Sequence, residues 1–406
     1  MKETLTKQAF HYLLSRTQDV PFAVRYWDDS TEQFGGDTPQ FTLRLRDPRI
    51  ANMLREDLNL SLGEAYMRGQ IEVEGDLADV ISASVRMLIR QETGTRDAFL
   101  SGFLSNIVAG AARRLGRRSS RRQQEDVTRH YDLSNDFFRL WLDETMTYSC
   151  AYFQSPEDTL EQAQRQKIDY SLRKLRLQPG ESLLDIGSGW GALIMRAAER
   201  SGVRALGITL SEEQYEGACT AIAARGLTDH ADVRLSHYEA LVREGRTFDK
   251  IVSIGMIEHV GKAHLGEFTQ SVARLLPSGG LALLHQITSP KEGAINAWLD
   301  KYIFPGAYLP TLPELIGHLA AHDLRIVDIE NLRPHYRMTM DHWSERFERV
   351  VPQVREQFSE EFVRMWRLYL RASSAAFREG TAELHQVLVS RGKTDALPLT
   401  RGDLYV

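Results

Sequence analysis

From about residue 160 to residue 290 the chain alternates short apolar runs with helical stretches, and that rhythm leaves few folds open. "ESLLDIG" reads as a strand and "ALIMRAAERSG" as a helix closed by Gly202. "VRALGIT" is a second strand, followed by the helix "SEEQYEGACTAIAARG" with Ser211 at its N-cap. "ADVRLSHY", "FDKIVSIG" and "GLALLHQI" supply three more strands. Strands separated by helices build a parallel, doubly wound α/β sheet, because parallel neighbours need a crossover long enough to hold a helix. Ligands bind such a sheet at the carboxyl ends of its strands. The first strand runs straight into "LLDIGSGWGA" (183–192), where Gly187, Gly189 and Gly191 follow Asp185. Glycines there let the backbone turn tightly and come close to a ligand. A turn that only packs helix on strand is the plain alternative.

Around this core, residues 1 to about 100 read as a small α+β unit. Its strands are "QFTLRLRD" and "GQIEVEGDL", with a glycine-ended helix between them. After about 295 the chain reads as mainly helical and aromatic, a cap on the sheet. At 406 residues the chain is long enough for two domains. Its net charge of -5 does not suit a general polyanion binder. Two cysteines, Cys150 and Cys219, give no disulfide framework. The start "MKETLTKQAF" lacks a signal-peptide core, and no apolar run reaches the ~18 to 20 residues of a membrane span. A cytoplasmic setting is expected. The stretch 111–124 carries six arginines, with Arg113, Arg117 and Arg121 in one helical row and Arg114, Arg118 and Arg122 in the next. The apolar "FLSGFLSNIVAGAA" precedes it, a pattern that suits an anionic membrane surface or a solvated interdomain helix.

The glycine spacing is G-x-G-x-G, not the G-x-G-x-x-G of dinucleotide sites. It is the form typical of S-adenosylmethionine (SAM) methyltransferases. Thr209 and Gln214 follow the second strand, and Tyr238 and Glu239 the third, where a ribose or carboxylate and an adenine would lie. No P-loop lysine appears, which argues against a nucleoside triphosphate. No "DPPY"-like tetrapeptide follows the fourth strand, which argues against nucleic acid as substrate. Instead Glu258 and His259 stand there, and His285 lies in the fifth strand. These match no standard metal-ligand spacing, so no metal is expected.

Eight motifs in order make the resemblance specific. They are "HYDLSNDFF", "TYSCAYF", "LLDIGSGWG", "GITLSEEQ", "VSIGMIEHVG", "LLHQIT", "KYIFPG" and the "HYRMTMDHWSERF" region. The chain resembles the cyclopropane-fatty-acid synthase family of SAM-dependent methyltransferases, which includes the mycolic acid cyclopropane synthases. Upstream, "LSLGEAYMRGQIEVEGDL" resembles the N-terminal domain of the bacterial phospholipid enzymes. The resemblance implies a Rossmann-like methyltransferase domain with a helical cap at 126–406. A smaller α+β domain for lipid or membrane docking would occupy 1–110, and a basic linker helix 111–125.

It also implies an activity. A methylene group passes from SAM to a cis double bond of an unsaturated phospholipid acyl chain and closes a cyclopropane ring. An alkene needs no base to attack, but it needs alignment and a dry pocket. The resulting carbocation needs electron density nearby, and the added methyl must then lose a proton. Tyr302, Phe304 and Tyr308 suit the first need or simply pack a lid. For the second, the resemblance implies a bicarbonate ion held by Cys150, Glu258, His285, Ile287 and Tyr336. Glu258 would accept from its hydroxyl, His285 and Tyr336 would donate, and backbone groups of Cys150 and Ile287 would complete the fit. For SAM the resemblance carries over to Tyr148, Ser149, Gly187, Gly189, Thr209, Leu210, Gln214, Tyr238 and Ile254, beside Asp185 and Gly191 of the turn. Ser188 stands where many relatives have cysteine, and His237 where some have aspartate.

Three other outcomes stay open. Proton loss after a hydride shift would give a methyl- or methylene-branched chain. A small-molecule amine or hydroxyl would suit the same cofactor site. A lipid-binding protein with an inactive methyltransferase domain is the non-enzymatic alternative. The expected partners are the phospholipid and an anionic membrane surface, with the protein peripherally bound to the inner face. The sequence leaves open whether the chain forms a homodimer.

Overall fold

The computed structural model describes residues 20–50, 57–93, 133–394 and 397–405, with parts of 7–15. The arginine-rich stretch and the apolar run before it lie outside the described residues. Contacts divide the chain into two units that interleave along the sequence. One holds the N-terminal residues with Gly293–Pro305 and Met340–Thr381, and the other holds the large sheet.

In the first unit β1 (Phe22–Arg25), β2 (Thr31–Phe34), β3 (Phe41–Leu45) and β4 (Ile71–Glu74) form a sheet in the order β2-β1-β3-β4. Helix α1 (Leu58–Met67) starts at Asp57, whose side chain accepts from the Leu60 amide. Helix α2 (Leu77–Thr93) follows β4. Phe22, Phe34 and Phe41 stack in the core of this sheet.

The second unit begins with α3 (Asn135–Arg139) and α4 (Leu160–Leu175). Then come β5 (Ser182–Ile186), α5 (Ala192–Ser201), β6 (Arg204–Thr209), α6 (Glu212–Ala224), β7 (Ala231–Leu235), α7 (Tyr238–Arg243), β8 (Lys250–Ile254), α8 (Leu265–Leu275) and β9 (Leu281–Thr288). The five strands and helices α5 and α6 are those the sequence predicts. Helix α9 (Ala297–Tyr302) belongs to the first unit. The sheet unit resumes with α10 (Leu312–Ala320) and β10 (Leu324–Asn331). Helix α11 (Arg333–Gln357) starts in the sheet unit and ends in the first. Helix α12 (Glu360–Glu379) belongs to the first unit, and β11 (Glu383–Arg391) returns to the sheet.

The sheet order is β10-β11-β9-β8-β5-β6-β7. Strands β5 to β9 pair in parallel, whereas β11 pairs antiparallel with both β9 and β10. Leu184 and Ile186 of β5 pack toward α7, α8 and α10, while Leu183 packs toward α4, α5 and α6, so both faces are covered. The strand order reverses between β5 and β8, which opens a crevice at their carboxyl ends.

The C-terminal region is mainly helical, as expected, but β10 and β11 also extend the sheet. The helical cap is also divided. Helix α10 packs on α8 and β10, but α12 packs on α1 and α2. There Arg364 donates to the carbonyls of Tyr66 and Ile71, at 2.5 and 2.8 Å. Trp298 of α9 lies so close to Gly63 that a Cβ there would stand 2.4 Å from its ring, so α1 needs glycine at this crossing.

Candidate active site

The crevice is a cleft walled by the segments the motifs mark. Tyr148 and Ser149 come from the loop before α4, and Asp185, Gly187 and Gly189 from the turn after β5. Thr209 and Leu210 come from the end of β6, Gln214 from the first turn of α6, Tyr238 from the start of α7, and Ile254 from the end of β8. Gly191 is the exception. It is the N-cap of α5 at φ +83°, and among the described residues it is no part of the wall. Gly189 has φ +54° and faces open space, so the turn puts bare backbone on the cleft. The Gly187 and Ser188 amides both donate to the Ile208 carbonyl at 3.0 Å, which fixes the turn to β6. Trp190 donates to Asn135 Oδ1 at 2.6 Å, and Phe138 packs against both Trp190 and Tyr148. The "HYDLSNDFF" motif therefore braces the aromatic wall.

The floor is charged and dry. Lys167 of α4 is 2% exposed and donates to Ser149 Oγ at 2.9 Å. Burial lowers its ammonium to about 8, against the opposing pull of Asp143, Cys150 and Asp185. Burial raises the Asp185 carboxyl to about 7, and Lys167 opposes the shift. Each group thus shields the charge of the other where water is scarce. The sequence reading missed Lys167. The signal was present: the core-facing stripe of α4 reads Leu160, Ala163, Gln164, Lys167, Ile168, Ser171 and Leu175, with three polar residues in apolar places.

The remaining five residues collect behind this wall, not on it. Cys150 follows Ser149, and Glu258 stands between Met256 and His259, which line the cleft. Cys150, Ile287 and Tyr336 pack in one cluster with Leu332 and Leu384. His285 and Ile287 share one face of β9, two residues apart. Glu258 sits in a 3₁₀ turn at Ile257–His259, and its Oε1 accepts from the Ile287 amide at 2.7 Å. That bond corrects one expectation, because the Ile287 N–H serves Glu258 and is not free for an anion. Glu258 Oε2 and His285 Nε2 are buried and have no partner. Burial drives the Glu258 carboxyl up to about 7, although backbone hydrogen bonds oppose it. Burial first, then Lys167, Lys174 and His335, holds the His285 imidazole neutral, well below its usual range. The Cys150 thiol is fully buried, donates to the Ala151 carbonyl and is kept protonated, so it is no nucleophile. No cluster that could hold a metal occurs among the described residues.

Residues 118–387 match the family model described as mycolic acid cyclopropane synthetase. The chain belongs to this family. Residues 9–89 match a second family, described only as a domain of unknown function. A probable fatty acid methyltransferase of Pseudomonas putida is 37% identical over 396 residues, 95% of this chain and 96% of that one. The cyclopropane-fatty-acyl-phospholipid synthase of Escherichia coli is 34% identical, over 88% of this chain and 90% of its own. Among solved structures, a mycolic acid cyclopropane synthase complexed with SAH and CTAB superposes with a TM-score of 0.62 at 37% identity, covering 66% of this chain and 98% of that one. Within this family member the three aromatics separate. Tyr302 donates to Glu64, and Phe304 packs edge-on to Tyr369, both inside the first unit. Tyr308 lies in the sheet unit, where its amide donates to the Glu258 carbonyl at 2.9 Å and its hydroxyl to Glu314.

Proposed function

We propose that this protein transfers a one-carbon unit from SAM to a cis double bond of an unsaturated phospholipid acyl chain and closes a cyclopropane ring. The observation that carries the reading is that Glu258 Oε2 and His285 Nε2 are buried without a partner on residues that adjoin the cleft wall, Glu258 between Met256 and His259 and His285 paired with Ile254. Leaving two such atoms unsatisfied costs a few kcal/mol in a protein of no special function, so a small polar guest fits them.

Bound SAM supplies an electrophilic methyl group. The bare backbone at Gly189, the Thr209 and Gln214 side chains and the Tyr238 ring line the cleft and would hold it, and a related structure complexed with SAH supports SAM as the donor. Lys167 and Asp185 neutralise one another on the floor, so the cleft offers a cationic methyl donor no net repulsion. The acyl chain carries a carbocation after transfer, and a proton must then leave the added methyl. Bound bicarbonate supplies the base for that step. A planar anion with one hydroxyl suits the donors here: His285 Nε2–H and the Tyr336 hydroxyl donate, and Glu258 Oε2 accepts. With its carboxyl raised to about 7, Glu258 faces an anion without full like-charge repulsion.

The Pseudomonas putida relative, named a fatty acid methyltransferase, favours a second outcome at the same site, a methyl- or methylene-branched chain. Mass spectrometry of cell phospholipids after expression separates the two. A gain of CH2 with loss of the double bond supports the ring, and a retained double bond supports branching. The membrane surface is reached through the arginines at 113–122 and the apolar residues before them. No helix among the described residues is long and apolar enough to cross a bilayer.

A further inference from the structure

We infer that Gln386, with Ser171 behind it, is a positioning residue that fixes which nitrogen of His285 carries the proton. The inference rests on the reading of His285 as a donor to the anion. Gln386 on β11 stands directly opposite His285 on β9 in the antiparallel register. Its amide nitrogen lies 3.0 Å from His285 Nδ1 and 3.5 Å from Ser171 Oγ. All three side chains are 1% exposed or less.

The hydrogens follow by elimination. Ser171 Oγ donates to the Lys167 carbonyl at 2.8 Å, one turn back in α4, so its only hydrogen is spent. Toward Gln386 it can therefore only accept, and the amide atom facing it must be the NH2 group. The same NH2 group faces His285 Nδ1, which must then present its lone pair. A neutral imidazole with a lone pair on Nδ1 carries its hydrogen on Nε2. Burial first, and the charges of Lys167 and Lys174 after it, keep the imidazole neutral. Nε2 is the atom left without a partner. The chain Lys167 carbonyl, Ser171, Gln386 and His285 thus turns a buried histidine into a fixed donor through Nε2. Without it the two neutral tautomers compete, and one of them presents a lone pair to an anion. Two other histidines have other partners: His385 Nδ1 bonds the Thr288 hydroxyl at 2.8 Å, and the partly exposed His335 accepts at Nδ1 from a backbone amide, that of Phe153, at 3.1 Å.

The test is nitrogen NMR of the full-length protein with ¹⁵N-labelled histidine, without SAM, lipid or bicarbonate. The His285 signal is assigned by its loss in His285→Asn. The coupling pattern of wild type is expected to show one tautomer, with the hydrogen on Nε2. Gln386→Leu is expected to populate both tautomers, and Ser171→Ala to do so more weakly, because the amide is then free to turn over. Product formation by Gln386→Leu should fall roughly 10- to 100-fold, the loss expected for one hydrogen bond to a charged group. SAM affinity should stay within about twofold, because Gln386 is not on the cleft wall. A wild-type signal with the hydrogen on Nδ1, or an unchanged pattern in folded Gln386→Leu, overturns the inference. If the tautomer shifts as described but product formation is unaffected, the placement of Gln386 stands and the anion reading of His285 falls.

Discussion

Replacing Glu258 by glutamine should make the protein more stable at alkaline pH while removing its activity. The side chain is 6% exposed, and Oε1 keeps its 2.7 Å bond from the Ile287 amide whether the group is an acid or an amide. Burial raises the carboxyl from its ordinary 4.5 to about 7. A raised carboxyl means that the folded state holds the proton more tightly than the unfolded chain does. Below 4.5 both states are protonated and ionisation costs the fold nothing. As pH rises from 4.5 through 7 the fold must bury a charge that the unfolded chain leaves in water. The full cost above that window is about 3 kcal/mol, with about 2 kcal/mol already present at pH 6. Glutamine cannot ionise and escapes this cost. The wild-type curve alone will not display it, because His259, lowered to about 4 by burial, and His285 destabilise the fold as pH falls through the same range. The variant-minus-wild-type difference cancels those common terms. Urea unfolding at pH 4.5, 6 and 8 should give a difference that climbs by about 3 kcal/mol in favour of Glu258→Gln. A difference that stays flat to within about 0.5 kcal/mol would mean that Glu258 titrates as a solvated carboxyl, and the argument for a buried anion partner would collapse.

Three further outcomes can be checked with the same protein. Gly189→Val places a branched side chain at φ +54° on the cleft wall and should weaken SAM at least ~10-fold by calorimetry, whereas unchanged affinity in a folded variant would refute the cofactor site. Tyr336→Phe should cut product formation while sparing SAM binding, and wild type should slow in degassed buffer free of bicarbonate; full activity there would leave Glu258 or water as the base. Changing Arg113, Arg117 and Arg121 to Gln should weaken binding to anionic vesicles, at about 1 kcal/mol per arginine close to the surface, but spare activity on detergent-dispersed lipid. Sedimentation of the triple variant equal to wild type would move the docking surface elsewhere.

The parallel half of the sheet was legible because its signals are local. An apolar run, a glycine turn and a capping serine each declare themselves within a few residues, and Ser211 and Gly202 cap α6 and α5 as read. Strand β11 was not legible for the opposite reason. Its pairing partners lie some 100 residues upstream on β9 and 50 to 70 upstream on β10, and "ELHQVLVSR" carries His385, Gln386 and Ser390 at buried positions where a core strand would show aliphatic residues. Those polar residues are buried because each has a partner: Thr288, His285 and the Gly392 carbonyl. The cleft-lining positions follow from motifs at strand ends. Lys167 and Gln386 do not, since their meaning depends on what faces them across the fold. Gly191 was overassigned because its spacing matches the turn, although its conformation serves the helix.

The position of β11 also bears on how the chain is made. A ribosome releases β9 about 100 residues before β11, yet β11 fills the slot between β9 and β10. During that interval β9 has a bare edge, and nascent β10 has no neighbour to hold it to the sheet. The first unit waits almost as long, because α12 appears just ahead of β11. Neither half can therefore finish until α12 and β11 have emerged. Emerging chains should lean on a chaperone through that interval, and a premature stop anywhere before Glu383 should yield material that aggregates instead of a shortened enzyme.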